Sequence, residues 1–413
     1  MNHATSHSPA STHAARRHGK ERVGANHRKT SMRHVALLIE SSGSYGRGLL
    51  RGIAKYNREH GGWSTYFRPH GFGDPLPDWI LGWQGDGLLV RIDNRQMADV
   101  IQRLNVPIVN LRGTVPGLSY PIVVVDNAQV AKLAAEHFVE RGLKHFAFCG
   151  RPRGTNPVLD QRGDYFEEFT RAVSGECHVY PAVRTAEQAG WEHEQAELAE
   201  WIRSLPKPVG VMACNDERGL QVLDACRRAG CAVPEQVAMI GVDNDEPLCD
   251  LSIPPMTSVD VNSEGVGYEA AALLDRLMDG RKAPTKATTV APRGVITRLS
   301  TDMVASEDEE VNRAVRYIRE NACGGVQVSD VVNFMGMSRA TLQQRMKQIV
   351  GRTIHQEIQR VRLARVQELL VMSGLTIKQV TREAGFASVQ YMTRVFRATT
   401  GETPAKYRSR RMK

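Results

Sequence analysis

The chain has 413 residues, 41% of them hydrophobic and 24% charged, with a net charge of +9. That is length enough for two or three domains with separate cores, in a composition ordinary for a soluble protein. No apolar run approaches the roughly 18 residues that span a bilayer, so no membrane association is expected.

Residues 1–32 contain the run MNHATSHSPASTHAARRHGK, with no apolar segment of the kind a secretory signal needs, and are read as a disordered basic tail. The seven cysteines, an odd number without CxxC spacing, suit free thiols in a reducing cytoplasm. His13, His18 and His137 form no metal-ligand spacing, and no metal or cofactor is expected. Charge is unevenly distributed. Residues 34–310 hold 28 basic and 38 acidic residues, whereas residues 311–413 hold 19 basic and six acidic ones. One part therefore faces a polyanion and the other something different.

From His34 short apolar runs alternate with amphipathic stretches. HVALLIE, GDGLLVR, PIVNLR and HFAFCG read as strands, and Tyr45–His60 and Ala128–Arg141 as helices between them. The rhythm resumes with helices over Tyr165–Val173, Glu192–Leu205, Asp216–Ala229 and Ser263–Asp279, and with strands VGVMAC and QVAMIGV. Such alternation predicts parallel sheets covered on both faces. About 270 residues suit two lobes better than one sheet. The predicted division is a sensing domain over 33–300, a linker over 301–310 and an all-α domain over 311–411.

The all-α part contains a repeat. Val328, Val331 and Gly336 recur as Ile377, Val380 and Gly385, 49 residues on, and Ser338, Leu342, Met346, Gly351 and Thr353 as Ser388, Met392, Phe396, Gly401 and Thr403, 50 residues on. The extra residue is Ala387. Each copy reads as a helix-turn-helix: a short helix (Ser329–Met335, Lys378–Ala384), a Gly able to take positive φ, an apolar turn residue (Met337, Phe386), and a Ser that caps the next helix. That second helix turns Arg339, Thr341, Gln343, Gln344 and Lys347 outward in the first unit. In the second unit it turns out Gln390, Tyr391, Thr393, Arg394 and Arg397. Arg and Gln read base edges bidentately in the major groove, so these are the candidate contacts to double-stranded DNA. Ile354–Met372 reads as one helix of 19 residues, about 28 Å long, which holds two recognition helices close to one DNA turn apart.

Over Val311–Arg408 these residues resemble the AraC/XylS family of regulators. The pattern A-G-F-x-S…F-(K/R)…T-G-x-T-P-x-x-Y-R appears as Ala384, Gly385, Phe386, Ser388, Phe396, Arg397, Thr400, Gly401, Thr403, Pro404, Tyr407 and Arg408. Thr381, Met392 and Met346 depart from the family's usual residues, as packing changes.

Residues 34–300 resemble the LacI/GalR effector domain, best in VPEQVAMIGVDNDEPLCDLSIPPMTSVDVNSEGVGYEAAALLDRLMDG. That resemblance implies a two-lobed, periplasmic-binding-protein-like fold with a ligand between the lobes. It places Arg162 (just before a helix), Asn215 or Asp216, Asp243 and, more weakly, Tyr45 in the cleft. Asp, Asn and Arg are the planar partners that adjacent sugar hydroxyls need. A sensing domain ahead of an AraC-type unit is the order found in bacterial regulators of pentose utilisation. The resemblance therefore implies a sugar effector, D-xylose or a related pentose. It also implies an activator, a homodimer, RNA polymerase as a partner, and a cytoplasmic protein associated with the nucleoid. A repressor of another carbohydrate pathway, and a solute-binding protein with a basic tail, are the alternatives. The sequence has no Walker A, G-x-S-x-G or HExxH motif, so no catalytic residue is named and an enzyme is not expected.

Overall fold

The computed structural model describes residues 32–411 apart from 72–73, 183–189 and 304–307. The expected tail, except for Met32, and four residues of the expected linker lie outside the described residues.

Twelve strands are described. The first five are β1 (Arg33–Leu38), β2 (Trp63–Phe67), β3 (Gly87–Val90), β4 (Ile108–Asn110) and β5 (Val123–Val125). Then come β6 (His145–Cys149), β7 (His178–Val179), β8 (Val209–Ala213), β9 (Val237–Val242), β10 (Thr257–Asp260), β11 (Thr288–Val290) and β12 (Gly294–Ile296). One parallel sheet runs β2-β1-β3-β4, and the parallel pair β5-β11 continues it through a bridge from Asn110 to Ile122. The other runs β12-β10-β9-β8-β6-β7, parallel except for β12. Helices cover both faces of these sheets. All five residues of β8 and all six of β9 are therefore buried, and both strands read as unbroken apolar runs.

The chain passes from the first lobe to the second after β5 and returns after β10. On return, the helix Ser263–Met278 crosses Ser44–His60 with backbone against backbone. A Cβ on Gly52 would lie 1.9 Å from the carbonyl of Glu264, and one on Gly267 2.1 Å from that of Leu49. Only hydrogen side chains permit this approach.

One helix differs from the sequence expectation. It begins at Pro157, not near Tyr165, and runs to Ser174. Proline presets the first helical φ, and Asn156 accepts from Val158 N at the cap. Gly163, a helix-weakening residue, is there because a Cβ would meet the Phe148 ring at 2.5 Å. Arg162 therefore lies inside the helix, not ahead of it.

Beyond residue 308 only helices are described: Glu309–Asn321, Val328–Met335, Arg339–Ile349, Ile354–Met372, Ile377–Glu383, Val389–Thr400 and Pro404–Arg411. They enclose two small cores. Val331, Met335, Leu342 and Met346 belong to the first, and Val380, Ala384, Met392 and Phe396 to the second.

Candidate DNA interface and ligand cleft

Each C-terminal unit is built by capping and one-sided burial. Gly336 ends the first short helix at φ +66°, and Ser338 Oγ accepts from Thr341 N at 3.1 Å to start the next. In the second unit Gly385 takes φ +74°, and Ser388 Oγ accepts from Tyr391 N at 3.2 Å. With Leu342, Met346, Met392 and Phe396 buried, the opposite faces are left outside. Arg339, Thr341, Gln344 and Lys347 are exposed and Gln343 half-buried. Gln390, Arg394 and Arg397 are exposed and Thr393 half-buried.

Tyr391 differs from its neighbours. It is half-buried, its hydroxyl accepts from the Gln359 side-chain amide, and the Arg394 guanidinium lies 5.3 Å from its ring. It is held by the linking helix and in turn props Arg394. Arg345 of the first recognition helix, which is not among the outward residues, pairs with Asp308 at 2.6 Å.

The two units are fixed to one another. A Cβ on Gly385 would meet the carbonyl oxygens of Ala322 and Cys323, both at 2.7 Å. Arg362, in the linking helix, is buried. It donates from Nε to Ala322 O at 2.8 Å and from Nη2 to Val326 O at 2.7 Å, while its guanidinium lies 6.0 Å from the Phe386 ring. One arginine thus ties the first unit's loop to the second unit's turn.

The cleft gathers charged groups from the carboxyl ends of strands in both lobes, where open α/β sheets place ligands. Arg162, 3% exposed, donates to Asn127 Oδ1 at 2.9 Å and to Cys214 O at 2.8 Å, and its Nη2 lies 3.5 Å from Asp243 Oδ1. Burial pushes the Asp243 carboxyl up, against the pull of Arg162 and Arg91. Tyr45 lies under Arg91, whose guanidinium is 5.1 Å from the ring, and burial raises its hydroxyl pKa. Arg47 reaches across the lobes to within 3.9 Å of Asp245.

Asn215 and Asp216 have local work. Asn215 Oδ1 caps the helix Asp216–Ala229 by accepting from Arg218 N at 3.0 Å. Asp216 is buried and accepts from Ser258 Oγ and Asp245 N, both at 2.6 Å. Burial first, and Asp243 second, push its carboxyl up to about 8.

Sequence reasoning missed four cleft groups. Glu40 follows β1, Arg91 follows β3, and Arg112 and Asp93 form an ion pair at 2.5 Å beyond β4 and β3. Arg91 pairs with Glu40, and burial together with Arg112 pulls its guanidinium down to about 10. Glu40 Oε2, Arg91 Nε and Asn110 Nδ2 are buried without a hydrogen-bond partner among the described residues. A buried donor or acceptor in that state is costly unless something else satisfies it. The available signal was the charged residue that ends each apolar strand run. His137 lies elsewhere, bonded to Thr301 Oγ1 at 2.8 Å, while His13 and His18 lie outside the described residues. Among the described residues no group of His, Cys, Asp and Glu could hold a metal, and no helix is long and apolar enough to cross a membrane.

Residues 135–301 match the family described as "Periplasmic binding protein-like domain", and residues 331–410 the family described as "Helix-turn-helix domain". Fold and sites together define a class: a sugar-responsive, DNA-binding transcription regulator with an α/β two-lobed sensing domain and an AraC-type tandem module. The chain is 33% identical to the xylose operon regulatory protein of Escherichia coli (strain K12) over 386 residues, 92% of this chain and 97% of that one. It is 30% identical to the protein of the same name from Haemophilus influenzae, over 91% of this chain and 97% of that one. The solved structure of the "xylose-binding transcription activator xylR" superposes with a TM-score of 0.75 at 31% identity, covering 91% of this chain and 98% of that chain. The chain belongs to this family of xylose operon regulators. A transcriptional regulator CelR–cellobiose complex, at 22% identity and a TM-score of 0.52 over 66% of this chain and 86% of that one, shares the fold.

Proposed function

We propose that D-xylose binds between the two lobes and switches the chain as an activator of xylose-utilisation genes. The observation that carries this reading is the half-satisfied polar lining of the cleft. Arg162 and Asp243 supply a fixed donor pair and acceptor for adjacent hydroxyls, Asn215 a further amide, and Tyr45 a ring face and hydroxyl. Arg91 and Glu40 close the opposite wall. Such an arrangement suits a neutral polyol, because the site's charges already neutralise one another and a sugar needs planar hydrogen-bonding partners. Asp216 contributes by holding the backbone beside Asp243.

On the DNA side, Arg339, Gln343, Gln344, Gln390 and Arg394 read base edges, while Thr341, Lys347, Thr393 and Arg397 position the module on phosphates. Tyr391 props Arg394. The regulator acts in the cytoplasm at the nucleoid as a homodimer, so that two tandem modules lie on one promoter and present a surface to RNA polymerase. No catalytic role is assigned to any residue.

The test is calorimetry of the full chain with D-xylose, L-arabinose, D-ribose and D-glucose. D-Xylose should bind, and Arg162→Ala should weaken it by about 100-fold or more, since it strips the half-buried Asp243 carboxylate of its partner. Absence of binding for every sugar would remove the effector assignment and leave the DNA-binding assignment standing.

A further inference from the structure

The seam between the second lobe and the first DNA-reading unit contains ion pairs that neither the cleft nor the DNA interface uses. Glu235, in the turn before β9, pairs with Arg319 of the helix Glu309–Asn321 at 2.7 Å, with side chains only 10% and 13% exposed. Asp302 pairs with Arg360 near the start of the linking helix. Arg360 also holds the fully buried carboxylate of Glu357 at 2.6 Å, and Arg352 holds it at 2.8 Å from the other side. A residual cavity of about 10 Å³ there is lined by Glu235, Met303, Val315, Arg319, Val350 and Glu357 among others. That is room for about one water. The Glu235–Arg319 pair is nearly dry and therefore weakly screened, and its strength depends steeply on geometry; Asp302–Arg360 is partly exposed.

Both anchors lead back to the cleft. Glu235 precedes β9, and β9 carries Asp243 just beyond its far end. Its six buried residues form a lever of about 20 Å. Asp302 ends a short segment that begins at Arg298. Arg298 Nη1 donates to Asn244 Oδ1 at 3.0 Å, and Thr257, bonded to the Arg298 carbonyl, lies 2.8 Å from Thr301 Oγ1. The loop these groups grip is strained. Asp243 has φ +108° and Asn244 φ +50°, in a region side-chain-bearing residues rarely adopt. It is held there because Ser258 Oγ accepts from Asn244 N at 3.0 Å and Asp216 accepts from Asp245 N.

We infer that Glu235–Arg319 and Asp302–Arg360 are the contacts through which the cleft positions the DNA-reading module. The strained Asp243–Asn244 loop is the element that ligand biases, and β9 and the Arg298–Asp302 segment carry its position to the seam. Glu235, Asp302, Arg319 and Arg360 are positioning residues that touch neither sugar nor DNA. This inference rests on the sugar reading above.

The experiment uses the full chain and a duplex selected from a random library. It compares operator dissociation constants without and with D-xylose. The wild-type ratio should lie between about 5 and 150, the usual span of allosteric coupling. Arg319→Ala should bring it below about threefold while calorimetric D-xylose binding persists. The charge swap Glu235→Arg/Arg319→Glu should restore most of the ratio, and Arg316→Ala, an exposed residue of the same helix, should leave it unchanged. A full wild-type ratio in Arg319→Ala would overturn the inference. If the wild type itself ignores D-xylose, the effector reading fails, and the seam is then read by hydrogen exchange of the sugar-free chain. Arg319→Ala should speed exchange of Glu309–Asn321 by about threefold or more. Unchanged exchange would overturn the seam as well.

Discussion

The two DNA-reading units share one design and sit in different company. The first carries the ion pair to the sensing domain through Arg319, and Arg345 of its recognition helix is tied to Asp308. The second is fastened to the first, by the close approach of Gly385 to Ala322 and Cys323 and by Arg362 beneath Phe386. Duplication therefore did not produce two equal readers. One copy became the joint between sensor and DNA, and the other an outrigger whose placement depends on the first. A change at the joint should alter the response to ligand. A change at the outrigger's attachment should alter the grip on DNA and leave the response intact.

The largest expected effect that separates the two is Gly385→Val. A β-branched residue at φ +74° with its Cβ 2.7 Å from two carbonyl oxygens must push the units apart. Strain of about 1–3 kcal/mol should appear in thermal melts of the C-terminal module. The footprint should shrink to the part covered by the first unit, with the sugar-dependent ratio retained. Next in size are Arg394→Ala and Arg339→Ala, each costing about 1–3 kcal/mol of operator binding and each relaxing sequence preference at a different half-site. Equal relaxation at both half-sites from either variant would break the assignment of one reader to each groove.

A further effect, read from the pH dependence of stability rather than from DNA binding, comes from His137. It is buried behind Thr301, one residue from the anchor Asp302, and burial, with Arg141 adding to it, pulls its imidazole down to about 3. The unfolded chain, with an ordinary pKa near 6.5, takes up a proton that the folded chain refuses. The contribution is intact above about pH 6.5 and is lost as pH falls toward 3, at up to about 1.4 kcal/mol per unit. Urea midpoints of His137→Gln should accordingly fall less steeply with acid than those of the wild type over that window.

Legibility in the sequence followed the locality of the physics. Caps, turn glycines and helix periodicity are set within a few residues, so the repeat from Val328 to Thr403 and the linking helix Ile354–Met372 could be read directly. The cleft is different, because its members come from strand ends and helices far apart in the chain. Arg162 and Asp243 were reachable through resemblance, while Glu40, Arg91 and Arg112 look like ordinary charges closing apolar runs until the sheet brings them together. The start of the helix at Pro157 was hidden by Gly163, a residue chosen for the Phe148 ring and not for helicity. The seam was invisible, since nothing near Glu235 in sequence announces Arg319, 84 residues on.

Hydroxyl-radical footprinting of the full chain on its selected duplex, titrated with protein at fixed D-xylose and again without sugar, tests the account most directly. A rigid tandem reader under sugar control should protect two patches about one helical turn apart, appearing at the same protein concentration, with that concentration moved by D-xylose. Two patches with separate midpoints, or a midpoint that D-xylose leaves in place, would contradict it.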